Sequence, residues 1–365
     1  MNKKLSIGII GTRGIPNQYG GYEAAVQELA PRLVARGHEV MVYCSPHQSY
    51  LEKEWQGVKL NFQWNPEDKI GTAGQFIYDL QCNRHARQQK FDVVLHMGYT
   101  SDSIWYRVWD PKSKHITNMD GMEWRRSKYS SKVQAFLKKA EKWAAKNSDL
   151  LIADSTGVMQ YLQERYATSI RHIAYGAEIP VSFDKNHLNN YQLIPEEYDL
   201  LIARMEPENN LEMAIEAKLI SDDPFPLIIF GNQNQYGQSL IDRFKNEEMI
   251  RFLPANYDQQ VMDSLRHYSR YYIHGHSVGG TNPSLLEAMA AGSSILAHNN
   301  VFNCGVLQHG GKYFNSAEQL GHLFAQPKTD LFTKDQIKNN LQRIEQHYNW
   351  ELICQLYEDA CYEIC

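Results

Sequence analysis

Three segments of this chain combine glycine, arginine and carboxylate residues in spacings suited to a charged, oxygen-rich ligand. The first is Gly11-Thr12-Arg13-Gly14-Ile15-Pro16-Asn17-Gln18-Tyr19-Gly20-Gly21-Tyr22-Glu23, between an apolar run and an amphipathic stretch. It is neither Gly-x-Gly-x-x-Gly nor a loop ending in Lys-Ser/Thr, so a dinucleotide fingerprint and a P-loop both fit poorly. A long glycine-bearing loop entering a helix still offers backbone N–H groups to a diphosphate or a sugar, and it could equally be a plain strand-to-helix turn. The second is Gly275-His276-Ser277-Val278-Gly279-Gly280-Thr281-Asn282-Pro283-Ser284-Leu285-Leu286-Glu287. Asn282 can cap a helix and Pro283 suits its first position, so the helix start favours an anion. Glu287 falls about one turn inside, where a carboxylate can accept hydrogen bonds from vicinal hydroxyls. The third is Leu201-Ile202-Ala203-Arg204-Met205-Glu206-Pro207-Glu208-Asn209-Asn210, in which Arg204 just past a strand end can grip a diphosphate bidentately.

The elements that must position these residues follow from periodicity. Predicted strands at Leu5–Gly11, Glu39–Cys44, Val58–Gln63, Asp92–Met97, His115–Met119, Asp149–Ala153 and Ile170–Ala174 alternate with helical stretches such as Tyr22–Arg36. The polar stretch 181–197 reads as a linker. A second series then follows: strands at Asp199–Ala203, Leu227–Gly231, Ile250–Leu253, Tyr271–His274 and Ser294–Ala297, with helices at Asn210–Ile220, Asp258–Tyr268 and Pro283–Ala291. The expected organisation is α/β, with a Rossmann-like parallel-sheet domain over 1–180 and another over 198–345, facing each other across a cleft. The tail from Asp335 reads as helical, and 346–365 has the option of crossing back to the first domain.

Composition narrows the classes. With 365 residues, 43% hydrophobic and 22% charged, the chain is long enough for two domains of roughly 150 residues and is neither disordered nor fibrous. A net charge of −5 gives no global case for nucleic-acid binding. No apolar run reaches the ~18 residues of a bilayer-spanning helix, and the first apolar run stops at Gly11 without a cleavage site, so a cytoplasmic location is expected. The six cysteines are scattered with no Cys-x-x-Cys pair, which suits reduced, mostly buried thiols.

Taken together and in this order, these segments resemble the retaining nucleotide-sugar glycosyltransferases of family 4, which have the GT-B fold. The second resembles that family's Glu-Gly-Phe-Gly…Pro-x-x-Glu-Ala-Met-Ala-x-Gly signature and the third its Gly-Arg-Leu…Pro-Glu-Lys segment. The Gly11–Pro16 string with Gly20–Glu23, the string Asp120-Gly121-Met122-Glu123-Trp124-Arg125-Arg126, and Gly275–Pro283 are similar to a bacterial subfamily. Many of its members are described as rhamnosyltransferases of capsule and lipopolysaccharide assembly. The resemblance implies that Glu287 holds the donor's ribose hydroxyls, that Arg204 meets its diphosphate, and that Gly20 and Gly21 form the loop closing on it. Gly279, Gly280, Thr281, Asn282 and Ser284 complete the implied donor side. Glu123, Arg125 and Arg126 lie on the implied acceptor or membrane side. Three positions depart from the wider family: Asn209 replaces a phosphate-binding Lys, Gly279 an acid that touches the donor sugar, and Asp120 an active-site His. These departures recur in the closer subfamily and imply altered sugar recognition.

The chemistry implied is departure of a diphosphate from an oxocarbenium-like sugar. Arg204, the helix start at Pro283-Ser284 and the loop amides at Gly20-Gly21 would stabilise the growing charge. No Asp-x-Asp motif occurs, so no metal and no cofactor are expected beyond the nucleotide-sugar substrate. Asp120 could take the acceptor proton or steady the cationic sugar, or could cap a turn; His96 reads as a satisfied buried histidine. Between Arg125 and Lys146 stand eight basic residues (Arg125, Arg126, Lys128, Lys132, Lys138, Lys139, Lys142, Lys146) and one acid, Glu141. With Val133, Phe136, Leu137, Ala140 and Ala144 on one stripe, that helix could rest on an anionic inner-leaflet membrane or meet a lipid-diphosphate acceptor, or could simply pack on the sheet. The rival readings are a nucleotide-sugar epimerase of the same fold and a non-catalytic sugar-nucleotide-binding subunit. Turnover by the isolated chain separates the last from the other two.

Overall fold

Short aliphatic runs become central strands where helices cover both sheet faces, because each residue of the run then finds apolar neighbours on either side. The computed structural model describes residues 3–126 and 129–365, so Lys128 of the basic run lies outside the described residues. The chain divides into two compact units, one running to Tyr175 and including Trp350–Cys365, the other Gly176–Asn349.

In the first unit the strands are β1 (Ser6–Ile10), β2 (Glu39–Cys44), β3 (Glu54–Trp55), β4 (Val58–Phe62), β5 (Val93–Met97), β6 (Lys114–Asn118), β7 (Leu150–Ala153) and β8 (Ser169–His172). Their order is β3-β4-β2-β1-β5-β6-β7-β8, and all neighbours are parallel except the two-residue β3 against β4. Ile7 of β1 pairs with Val40 on one side and Val93 on the other, and all three are buried. Helix α1 (Gly21–Ala35) presses Val26, Leu29 and Leu33 onto this sheet. Helices α2 (Ala73–Gln89) and α3 (Ser131–Asn147) belong to the same unit. The terminal helix Trp350–Ile364 packs on α1, burying Trp350, Ile353, Cys354 and Tyr357, with Arg36 paired to Glu358 at 3.0 Å. The predicted continuous helical tail is in fact interrupted. Lys334–Arg343 runs into a wider turn at Ile344–Tyr348, and Asn349 adopts an extended backbone before Trp350.

The second unit contains β9 (Asp199–Ile202), β10 (Leu227–Gly231), β11 (Ile250–Pro254), β12 (Tyr271–His274), β13 (Ile295–His298) and β14 (Lys312–Phe314), all parallel in the order β11-β10-β9-β12-β13-β14. Helices α4 (Leu211–Ile220), α5 (Gln259–Tyr268) and α6 (Pro283–Ala290) begin one residue after Asn210, Asp258 and Asn282, of which Asp258 and Asn282 cap their helices through the side chain. The stretch expected as a linker is tied to this unit. Leu188 is buried, the Asp184 amide donates to Ser264 Oγ at 3.1 Å, and Arg251 donates to the Tyr191 carbonyl at 2.7 Å.

Beneath the sheet of the second unit lies a closed ionic cluster of two acids and two bases. Lys218 Nζ donates to Asp199 Oδ2 at 2.7 Å and also to Asp223, while Arg270 donates to Asp199 at 2.7 and 3.0 Å and to Asp223 at 2.5 and 2.6 Å. Lys218 and Asp199 are almost wholly buried. Removing one partner strands the others in a low-dielectric interior. Lys218→Met is therefore expected to lower unfolding free energy by about 3–5 kcal/mol, read by urea denaturation against Lys334→Met at an exposed position.

Candidate functional site

Because β9 and β12 are hydrogen-bonded neighbours, their carboxyl ends bring the second and third sequence segments together. The join is made by asparagines. Asn209, buried, donates to the Arg204 carbonyl at 2.7 Å and accepts from His276 Nδ1 at 2.8 Å. Asn210, at φ +51°, donates to the Gly275 carbonyl at 2.7 Å. A Cβ at Gly275 would lie 2.1 Å from the Asn209 carbonyl oxygen, so only glycine fits there. Ser277 closes the seam, its amide and hydroxyl both donating to the Glu208 carbonyl at 2.9 and 2.8 Å.

On this frame Arg204 is exposed, and among the described residues its guanidinium has no carboxylate partner. Asn282 Oδ1 accepts from the Ser284 amide at 2.9 Å and caps α6, with Pro283 at the first position as the sequence suggested. The Ser284 hydroxyl lies 2.5 Å from the Tyr272 hydroxyl, which fixes it to the sheet. Glu287 is half-buried and accepts a charge-assisted hydrogen bond from Arg266, which is itself buried and donates to Asp263 at 3.1 Å. Arg266 was not visible as a site residue in the sequence, since it stands twenty-one positions away on α5. Gly279 has φ +139°, and a Cβ there would meet His276 Nε2 at 2.9 Å, so the position is closed to a carboxylate side chain. Gly280 and Thr281 are buried behind it. His274, at the end of β12, is also buried, and its Nε2 has no hydrogen-bond partner. Burial, then nearby His276 and His298, pulls its imidazole well below the usual histidine range.

In the first unit the loop after β1 folds onto itself. Asn17 Oδ1 accepts from the Tyr19 amide at 3.0 Å and the Gly20 amide at 3.2 Å, so the Gly20 donor is partly engaged. Glu23, buried, accepts from the Arg13 amide at 2.8 Å, tying the loop's start to α1. Gly21 opens α1 and is exposed. After β6, Asp120 sits at φ +48°, a strained conformation that Asp tolerates better than most residues, with its amide donating to Asn118 Oδ1 at 2.9 Å. The Tyr22 hydroxyl is buried and has no hydrogen-bond partner among the described residues. Burial first, then the proximity of Asp120, Asp154 and Glu123, holds its proton far more tightly than usual. Tyr22 stands within a motif quoted from the sequence, which did not single it out. Arg125 is exposed over Trp124, whereas Arg126 is buried and paired with Glu123 at 2.7 Å. The two arginines expected to act alike are therefore separated, because Glu123 draws Arg126 inward.

His96 is fully buried, and its polar partners form a chain. His115 Nε2 faces the Asp110 carbonyl at 2.9 Å and must donate to it, since a carbonyl only accepts. His115 Nδ1 therefore accepts from His96 Nε2 at 2.9 Å. His96 Nδ1 lies 2.7 Å from Asp102 Oδ2, within ion-pair distance. Trp109 stacks on both rings, with centroids 4.1 and 4.8 Å away. Nearby, Asp79 is buried among Arg13, Gln75 and Ser101, and burial followed by Asp102 raises its carboxyl above the ordinary carboxylate range.

Among the described residues no group of three or more His, Cys, Asp or Glu side chains could hold a metal ion, and no helix is long and apolar enough to cross a membrane. Residues 4–178 match a family model described as "Domain of unknown function (DUF1972)", and residues 190–342 match "Glycosyl transferases group 1". The second match falls within the second unit, Gly176–Asn349. No curated protein matches the sequence significantly. Among solved structures, the sucrose-phosphate synthase of Thermosynechococcus elongatus superposes with a TM-score of 0.77 at 15% identity, covering 99% of both chains. HepE of Anabaena in complex with UDP-glucose gives 0.75 at 14% identity, over 98% of this chain and 99% of that one. A trehalose-phosphate synthase of Burkholderia xenovorans in complex with glucose-6-phosphate gives 0.75 at 10% identity, over 99% and 100%. At such identities the likeness establishes the fold, which is GT-B.

Burial, with His96 beside it, pulls the His115 imidazole down to about 4, below the roughly 6.5 of an unfolded histidine. Between these values the unfolded chain binds a proton that the folded chain refuses, so stability falls as pH drops through that window. In urea titrations from pH 7 to pH 4, His115→Asn should lose less stability than the wild type by up to about 1.4 kcal/mol per pH unit. Parallel curves would show that His115 is not the group responsible.

Proposed function

We propose that this protein is a retaining glycosyltransferase that moves a sugar, with rhamnose as first candidate, from a nucleotide-diphosphate donor to a glycan or lipid-linked acceptor. The observation that carries sugar transfer is the group 1 domain over 190–342, in which an unpaired Arg204 and the capped start of α6 follow neighbouring strands. HepE, a protein of this fold, binds UDP-glucose, which supports a nucleotide-sugar donor for this chain. Rhamnose, retention and a role in bacterial surface polysaccharides rest on the sequence resemblance. The guanidinium and the helix N-terminus meet negative charge where it grows on the leaving diphosphate. Glu287 supplies a carboxylate for ribose hydroxyls, and its pairing with Arg266 fixes its orientation. Asp120, held at a strand end, is proposed to steady the cationic sugar or to take the acceptor proton.

Thermal-shift titration with nucleoside diphosphates and their sugars tests this reading. One nucleotide series should raise the melting temperature with the logarithm of its concentration, with or without EDTA. Arg204→Ala should weaken that ligand about tenfold or more. Glu287→Gln should weaken it too, and is preferable to Glu287→Ala because it keeps a partner for buried Arg266. Absence of any shift overturns the proposal, as does a requirement for metal in the case of the metal-independent mechanism.

The acceptor side is proposed to work at an anionic membrane surface. On α3, Lys132, Lys138, Lys139, Lys142 and Lys146 are exposed. The one acid, Glu141, is buried and accepts from Trp124, Tyr161 and Tyr166 at 2.8–3.0 Å. Leu137, Ala140 and Ala144 face the core, while Val133 is 39% exposed. Charge reversal at Lys138, Lys139 and Lys142 should abolish sedimentation with phosphatidylglycerol-containing vesicles at low salt and leave nucleotide shifts intact. Undiminished sedimentation would dismiss α3 as the contact.

A further inference from the structure

The first unit has a second opening, at the amino end of β6 and so at the edge of the sheet opposite the loops described above. It is a cavity of about 250 Å³ walled by Arg87, Tyr106, Arg107, Trp109, Asp110 and His115. We propose that this cavity binds a phosphate monoester carried on a compact apolar or ring-shaped body.

Its charges point to that ligand. Arg87 at the end of α2 and Arg107 in the turn 103–108 are both exposed, and among the described residues neither is paired with a carboxylate. Arg87 reaches only the Val108 carbonyl, at 3.4 Å, and Arg107 donates through Nε to the Tyr106 hydroxyl at 3.1 Å, leaving its terminal nitrogens for other acceptors. The one wall carboxylate, Asp110, is nine-tenths buried and turned into its own loop, accepting from the Lys112 amide at 3.1 Å and from Ser113 Oγ at 3.4 Å. Two guanidiniums on one opening suit a dianion with three equivalent oxygens better than a carboxylate, which one guanidinium satisfies.

The remaining wall is flat and rigid. Trp109 is stacked on His96 and His115, which holds its ring in place, and its buried indole N–H has no acceptor among the described residues. The His115 N–H is taken by the Asp110 carbonyl, which leaves the arginines as the cations of the cavity at neutral pH. An aromatic floor beside two cations accommodates the carbon body of a phosphate ester. The donor-side residues Arg204 and Glu287 belong to the other unit, so the two sites can be tested apart.

Phenyl phosphate and inorganic phosphate, titrated calorimetrically into the full chain, are the probes. Phenyl phosphate should bind saturably and more tightly than inorganic phosphate, and Arg87→Gln/Arg107→Gln should weaken it about tenfold or more. The same double variant should keep the nucleoside diphosphate shift, which separates failure of this site from failure of the donor site. Trp109→Phe should weaken phenyl phosphate while leaving inorganic phosphate unchanged. Vesicles containing phosphatidic acid distinguish the source: displacement of phenyl phosphate assigns the site to a lipid headgroup, and no displacement assigns it to a soluble ester. No saturable binding of phenyl phosphate, or equal affinity in the double variant, overturns the proposal.

Discussion

Parallel pairing places every strand-to-helix loop at the same edge of its sheet. That constraint concentrates the chemistry of each unit, and it also crowds irregular backbone whose polar groups need partners. In the second unit the crowding is resolved where β9 and β12 lie side by side. Asn209 and Asn210 supply from their side chains the hydrogen bonds that a strand would have supplied from its backbone, and Gly275 gives up its Cβ so that the Asn209 carbonyl can pass at close range. Arg204 and the capped start of α6 are positioned by this seam. For the function proposed above that fixed frame matters, because dipoles that must reorganise during reaction stabilise charge less.

The distribution of cations follows the same logic. Lys218, Arg270, Arg266, Arg126 and Arg13 each have a carboxylate within reach, and the first four are buried. Burying an unpaired charge is too costly for any of them to exist alone. Arg204, Arg87, Arg107 and the lysines of α3 lack such a partner among the described residues and stay in water, where they remain free to meet an external anion. The division separates basic side chains that hold the fold from those available to a ligand.

Much of this was legible beforehand, and the exceptions have a common cause. The aliphatic strands and the helices opened by Asn210, Asp258 and Asn282 emerge within a residue or two of expectation, because apolar runs and caps are local signals. Helix α2 carries no such signal. It buries Asp79 and Asn83 beside Tyr78, Cys82 and Ala86, so polar residues interrupt the apolar stripe of its inner face. Arg266 on Glu287, Glu23 on the Arg13 amide and the Asp102–His96–His115 chain are likewise pairings of polar residues distant in sequence. Hydrophobic periodicity reports which face is inside; it does not report which buried polar groups satisfy one another. Arg126 shows the limit most sharply, since its neighbour Arg125 has the same side chain and the opposite fate.

The three departures from the wider family acquire physical content from their surroundings. Asn209 is a neutral hydrogen-bonding bridge between two loops, donating to the Arg204 carbonyl and accepting from His276 Nδ1. Gly279 occupies a conformation that disfavours any side chain and abuts His276. Asp120 holds a left-handed backbone at a strand end, which suits Asp better than the larger His. Asn209 and Gly279 thus both adjoin the His276 ring. The Arg204 carbonyl is held by the Asn209 amide and the start of α6 by Asn282, so the frame around both is complete without a lysine at position 209.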